Sequence, residues 1–286
     1  MESNPLPVFV HLRKTAGSTL REVIRRQFRR GEVIEIYGKT IAVANQKWEA
    51  IPPEQRARLK CVLGHLSYGP HLFAPQPIAP FTLLRDPVER VVSEYYYNLR
   101  TPGEKFHAVL NRRRITLEQF VESDLASEVH NTQTRRLAGE PADAGPRELL
   151  GLASAHVRDR FAMIGIHERF EESLLLCGAV FGWQRLVCRP VNVNRWRPRT
   201  GNISRQTVLA IEQANFLDRE LYRLGSVRFE EDLRKYDIRQ NDVNVLRRTS
   251  GVYATARRIF GFPREAWIET KMAIQRHRVL NRLDET

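Results

Sequence analysis

PVFVHLRKTAGSTLREVI, residues 7–24, decides how the chain folds. Val8, Phe9 and Val10 form an apolar run of β type that passes directly into a turn of small residues. Leu20, Val23, Ile24 and Phe28 then recur at the spacing of one helix face. Lys14, Thr15, Gly17, Ser18 and Thr19 stand at the junction. A strand that turns into a helix in this way aims backbone N–H groups and the positive end of a helix dipole at one point, here beside a lysine, and that arrangement suits a phosphate. The order differs from the nucleotide triphosphatase loop G-x-x-x-x-G-K-[ST], because here the lysine precedes the only glycine.

Length and composition allow one large α/β domain with an appendage: the chain has 286 residues, of which 42% are hydrophobic. No stretch reaches the apolar length a bilayer requires, and the N-terminus carries no charged-then-apolar leader pattern. Cys61, Cys177 and Cys188 are odd in number and irregular in spacing, which argues against a disulfide framework or metal site and for a reducing, cytoplasmic setting. A net charge of +13 favours an anionic partner. Between Arg185 and Arg205 there are six arginines and no acid, so that segment is a candidate for meeting the anion.

Strands are expected at 7–12, 33–36, 60–63, 81–84 and 161–166, separated mostly by helical patterns, which predicts a mainly parallel sheet covered on both faces. The clearest later helix is 87–99. Asp86 is its cap, Pro87 its first residue and Glu89 the far half of a capping box, and Val88, Val91, Val92, Tyr95, Tyr96 and Leu99 form its apolar face. A polar insertion is read at 100–114, with helices at 117–125, 132–137, 168–181, 204–213 and 217–236 and a loop at 139–146. From Arg239 the pattern weakens into a basic amphipathic tail with ten Lys or Arg against five acids. Such a tail can pack on its own domain or lie on a membrane surface.

FTLLRDPVERVVSEYYY, residues 81–97, is a second strand running into a capped helix. Arg85 offers a planar, permanently charged fork at the strand end, and Ser93 a hydroxyl two turns into the helix, so both can hold a phosphate. The plainer reading pairs Arg85 with Asp86 or Glu89 and leaves Ser93 facing solvent. HLRKTAGSTL followed by LLRDPVERVVSEYYY resembles the 5′-phosphosulfate and 3′-phosphate motifs of the sulfotransferases, whose donor is 3′-phosphoadenosine-5′-phosphosulfate (PAPS). The likeness is to the carbohydrate 2-O-sulfotransferases of heparan and dermatan type and their bacterial relatives. GHLSYG at Gly64, NTQTRRLAG at Asn131, FAMIGIHERFEESL at Phe161 and NVNRWRP with LDRELY extend it over roughly residues 8–229.

The resemblance implies an α/β, P-loop-like three-layer fold with a mainly parallel central sheet flanked by helices. Residues 1–238 would be the PAPS-binding domain and 239–286 a helical C-terminal extension. Lys14 would contact the 5′-phosphosulfate and steady the bridging oxygen as the S–O bond breaks. Thr15, Ala16, Gly17, Ser18 and Thr19 would cradle that group, and Arg13 would either add positive charge beside it or point away. Arg85 and Ser93 would bind the 3′-phosphate, and the loop 195–200, with Arg195, Arg197, Arg199 and Thr200, would close over the nucleotide. His65 matches the family's base; an imidazole can take a hydroxyl proton in flight. The family often shows H-G-H where this chain has Leu63-Gly64-His65, which leaves His65 as the single candidate.

The reaction implied is in-line sulfuryl transfer to a hydroxyl of a glycan, glycolipid or smaller alcohol, an acidic sugar among them, with no metal expected. Peripheral contact with the inner membrane through the tail is compatible with it. Two other classes fit less well. A P-loop kinase or ATPase would leave Arg85 and Ser93 without purpose. A non-catalytic polyanion-binding module, for nucleic acid or acidic glycan, calls for exposed stacking aromatics among the basic residues, whereas Tyr95, Tyr96 and Tyr97 fall in a helix pattern with at least two of them on its buried side. Loops set acceptor choice in such folds. Here they are 100–114 and the region of His130 to Arg136, with Arg112, Arg113, Arg114, Arg135 and Arg136 as candidate contacts.

Overall fold

The structure is a computed structural model that describes residues 5–37, 41–69, 77–141, 143–188 and 203–260. Five strands, β1 (Leu6–Val10), β2 (Val33–Ile36), β3 (Cys61–Gly64), β4 (Ile78–Leu84) and β5 (Met163–Ile166), form one sheet in the order β2-β3-β1-β4-β5. All four pairings are parallel. The strands read as apolar runs because helices cover both faces of a parallel sheet. Val8, Phe9, Val10, Val62, Leu63, Phe81 and Leu84 are wholly buried, and each such side chain contributes about 1.5–3 kcal/mol.

This strand order places a topological switch point between β1 and β4. The chain leaves β1 through α1 (Gly17–Gln27) towards β2 on one side of the sheet. It leaves β4 through α4 (Pro87–Arg100) and the helices after it towards β5 on the other. Open parallel sheets bind ligands in the crevice outside the strand ends at such a point. Thr82 pins the two ends together by donating its hydroxyl to the Val10 carbonyl at 2.7 Å.

The expected elements are present, with informative differences. Asp86 caps α4 by accepting the Glu89 N–H at 2.9 Å, as expected. The Glu89 carboxylate, expected to complete a capping box, pairs instead with Arg85 at 3.2 Å, while the Asp86 N–H donates to Glu168. Between β2 and β3 lie α2 (Ile41–Glu49) and α3 (Pro53–Ala57). The polar insertion contains α5 (His107–Arg112), anchored by the buried Leu110, and α6 (Leu117–Glu122) and α7 (Thr132–Ala138) follow. Helix α8 (Pro146–Asp159) has no counterpart in the sequence reading. Only Ala153 and Val157 of it are fully buried, so it shows too thin an apolar stripe to stand out. The remaining helices among the described residues are α9 (Phe170–Phe181), α10 (Arg205–Ala214), α11 (Phe216–Lys235) and α12 (Gln240–Phe260). Leu246 of α12 joins the main core. Among the described residues no helix is long and apolar enough to cross a membrane.

A buried polar knot joins α4, α7 and α11. Asp218 of α11, with no exposed surface, accepts from the backbone N–H groups of Gln133 (3.2 Å) and Thr134 (2.8 Å) and from the Thr134 hydroxyl (2.9 Å). It therefore caps α7, where a carboxylate also suits the helix dipole. In return Asn131, just before α7, accepts from the N–H groups of Leu217 and Asp218 at 3.0 and 3.2 Å and caps α11. Arg90 of α4, 2% exposed, lies 3.7 Å from Asp218 and donates to the Val129 carbonyl. Removing one partner of a buried pair strands the other charge. Asp218→Ala is expected to lose about 3–5 kcal/mol of stability by urea denaturation, with Asp218→Asn losing less.

Candidate functional site at the ends of the first, third and fourth strands

The loop after β1 is built for tight curvature. Lys14 and Ala16 both have φ of 66°, a left-handed conformation that costs energy without glycine and persists only where neighbours hold it. Thr15, fully buried between them, donates its hydroxyl to the Leu12 carbonyl at 2.9 Å. Ala16 then serves as the cap position of α1, and its carbonyl accepts from the N–H groups of Thr19 and Leu20. Gly17 must be glycine, because a Cβ there would lie 1.9 Å from the Nε2 of His11. Gly17 and Ser18 thus open an 11-residue helix whose first turn holds no acid. All of the proposed cradle, Thr15 to Thr19, lies at this one strand end.

Lys14 lies 3.5 Å over the centre of the Tyr97 ring. Burial, with the charges of Arg13, Arg100 and Arg85 acting in the same sense against Glu94, lowers its ammonium to about 8. Arg13 is turned to carboxylates, bonding Glu94 at 3.0 Å and Glu104 at 2.9 Å. Burial opposes its charge, but the two carboxylates outweigh burial and raise its pKa. Arg13 therefore reaches the cradle as an anchor between β1 and α4 with its fork engaged.

Arg85 leaves β4 beside this loop and is 7% exposed. Its guanidinium donates to the Lys14 main-chain carbonyl at 2.8 Å, pairs with Glu89 at 3.2 Å and lies 3.8 Å from Glu168. The plain pairing with Glu89 is thus present, together with a direct bond to the cradle. Ser93 is half-buried on α4. It shares a helical stripe with Glu89, which touches Arg85, and with Tyr97, which touches Lys14. Arg195, Arg197, Arg199 and Thr200 lie outside the described residues.

His65 follows β3, where Gly64 is required because a Cβ would meet the Ile36 carbonyl oxygen at 1.9 Å. His65 does not stand alone. The His11 ring lies 4.7 Å from it and the Tyr37 ring 4.8 Å, both edge-on, and His11 Nδ1 is 3.1 Å from the Tyr37 hydroxyl. Sequence reading passed over His11 and Tyr37, because nothing local pairs positions 11, 37 and 65; His11 preceding the Lys14 loop was the available signal. Burial, then the charges of Arg13, Arg136 and Arg21, lower His65 to about 3, and burial with the His65 charge holds His11 well below its ordinary value. Both imidazoles are neutral around pH 7, each with one ring nitrogen protonated and the other carrying a lone pair.

Arg136 also belongs to this corner, bonding the Ser67 hydroxyl at 3.2 Å and Glu140 at 2.9 Å. Arg135 is half-buried, and Arg112, Arg113 and Arg114 are exposed at the far end of α5. Among the described residues no cluster of three or more His, Cys, Asp or Glu is placed to hold a metal ion, and Cys61, Cys177 and Cys188 are free.

Neither a protein-family profile nor a curated protein matches the sequence. Among solved structures the chain is similar to the crystal structure of mouse sulfotransferase SULT7A1 complexed with PAP, at 15% identity and a TM-score of 0.34, over 77% of this chain and 68% of that one. A likeness this loose assigns no residue, and the site stands on its own geometry. An amine reacts with acylating agents only when unprotonated, so competitive acetic anhydride labelling read by mass spectrometry should give Lys14 a midpoint near pH 8. Exposed lysines should titrate about two units higher.

Proposed function

We propose that this protein transfers the sulfuryl group of PAPS to a hydroxyl of a carbohydrate or glycoconjugate. The observation that carries the proposal is the junction of two cationic sites at adjacent strand ends, with Arg85 bonded to the carbonyl of Lys14 and neutral His65 at the end of the next strand over. A donor with phosphate at both the 5′ and 3′ positions needs two such sites. A kinase or ATPase needs one polyphosphate cradle, and a polyanion-binding module needs no buried imidazole.

The residues fit the donor. The N-terminus of α1 and Lys14 would receive the phosphosulfate, and Arg85 with Ser93 the 3′-phosphate. The acceptor oxygen attacks sulfur while the bond from sulfur to the 5′-phosphate oxygen breaks, giving a sulfate ester and adenosine 3′,5′-bisphosphate. His65 takes the hydroxyl proton, and the Lys14 ammonium balances the charge that develops on the leaving oxygen. As in phosphoryl transfer, positioning and electrostatics do most of the work. A base with a pKa near 3 is weak; the negative charge of a bound donor offsets Arg13, Arg136 and Arg21 and moves it towards the useful range. Arg136, beside Ser67 and close enough to His65 to lower its pKa, would meet an acidic acceptor in this reading.

Incubation with labelled PAPS and a panel of glycans, glycolipids and small alcohols, read by mass spectrometry, should give a sulfated product, and adenosine 3′,5′-bisphosphate should bind more tightly than ATP. His65→Ala should lower kcat by about 10²–10⁴-fold; full turnover in that variant would remove His65 from the role of base. The rate profile carries a second check. Lys14 is charged below its pKa, so kcat/KM should fall as pH rises through about 8. Measured for the donor, kcat/KM reports the free enzyme and should hold steady towards pH 5, since His65 is already unprotonated there. Lys14→Arg, with a permanently charged side chain, should lose the alkaline fall in whatever activity remains.

A further inference from the structure

Gln133, 1% exposed, makes a paired contact with the main chain of Arg85. Its Oε1 accepts the Arg85 N–H and its Nε2 donates to the Arg85 carbonyl, each at 2.9 Å. An amide holds a donor and an acceptor side by side, so it can satisfy both backbone groups of one extended residue as a neighbouring strand would. Arg85 is the residue immediately after β4, whose paired register with β5 ends at Leu84. Gln133 meets both backbone groups of Arg85 just past the last residue of that register. Gln133 is itself held, since its own N–H donates to Asp218, which Arg90 accompanies in the buried knot. Arg90 stands on α4, the helix that Arg85 precedes, so the mount of Arg85 is closed on both sides.

We infer that Gln133 is a positioning residue that sets the Arg85 fork for the second phosphate of the donor, an inference that rests on the donor reading above. A long side chain carries any error in its backbone out to its charged end, and a bidentate phosphate contact tolerates little error. The same fork reaches the Lys14 carbonyl, so Gln133 also sets the distance between the two anion sites.

The test is calorimetric titration of the full-length protein with adenosine 3′,5′-bisphosphate and with adenosine 5′-monophosphate, for the natural chain and for Gln133→Met and Gln133→Asn, each checked by thermal melting. The natural chain should prefer the bisphosphate. In both variants that preference should shrink by about tenfold while affinity for the monophosphate changes less than about twofold. Lys14→Ala, by contrast, should weaken both ligands together. An unchanged preference in folded variants would overturn the inference, as would loss of the folded state in both, which would make Gln133 a brace and nothing more. A natural chain that binds the two nucleotides equally would overturn the donor reading itself, and that outcome is recognised without any variant.

Discussion

The bond from the Arg85 guanidinium to the main-chain carbonyl of Lys14, 2.8 Å long, ties the end of β4 to the loop after β1 at the point where the sheet's connections diverge. Lys14 needs such a partner, because its left-handed backbone conformation is costly for a residue with a Cβ. Arg85 needs one too, since a guanidinium so little exposed must have its donors met. Each residue thus meets the other's structural demand, and two cations are thereby held side by side at the mouth of the crevice. Their mutual repulsion is offset by Glu89 on Arg85 and by Glu94, which acts on both Arg13 and Lys14.

That junction is supported at increasing depth. Directly behind it, Gln133 clamps the backbone of Arg85 and Thr82 joins β4 to β1. Behind Gln133, Asp218 and Asn131 cap each other's helices, and Arg90 brings α4 into the same knot. On the other side of β1, His11 packs against Gly17 at the head of α1 and against His65 after β3. The helix that opens the anion cradle and the imidazole proposed as base therefore share one neighbour. A change in the His11 ring would disturb both at once.

Local pattern revealed some of this and not the rest. Buried parallel strands are apolar runs, so all five were legible within a residue or two or, for β4, three at its start. The strand-to-helix turn that holds Lys14, Thr15, Gly17, Ser18 and Thr19 was legible because all of it lies within one short stretch. The places of Arg85 at a strand end and of Ser93 on a capped helix were legible from the second strand–helix pattern. What escaped was every relation that depends on distant chain segments meeting. His11 with Tyr37, Gln133 with Arg85, and Asp218 with α7 join positions 26, 48 and 85 residues apart, and no periodicity records such pairs. Arg13 is a further case: its bonds to Glu94 and Glu104, on and after α4, join positions 81 and 91 residues apart.

The charges at this site differ in how well they are accommodated. Arg13, Arg85 and Arg136 each have a carboxylate within 3.2 Å. Lys14 instead faces the Tyr97 ring, and burial together with three arginines acts against its proton, with Glu94 pulling the other way. An incoming phosphate therefore stabilises the Lys14 ammonium more than any of its neighbours, because the others already hold anions and are permanently charged. Binding an anion and keeping the lysine proton are then linked: each favours the other, and above pH about 8 the site gains its proton along with its ligand. A lysine in that condition would suit the leaving group of the proposed transfer, since the charge it prefers to face is the one that would grow as the donor bond breaks.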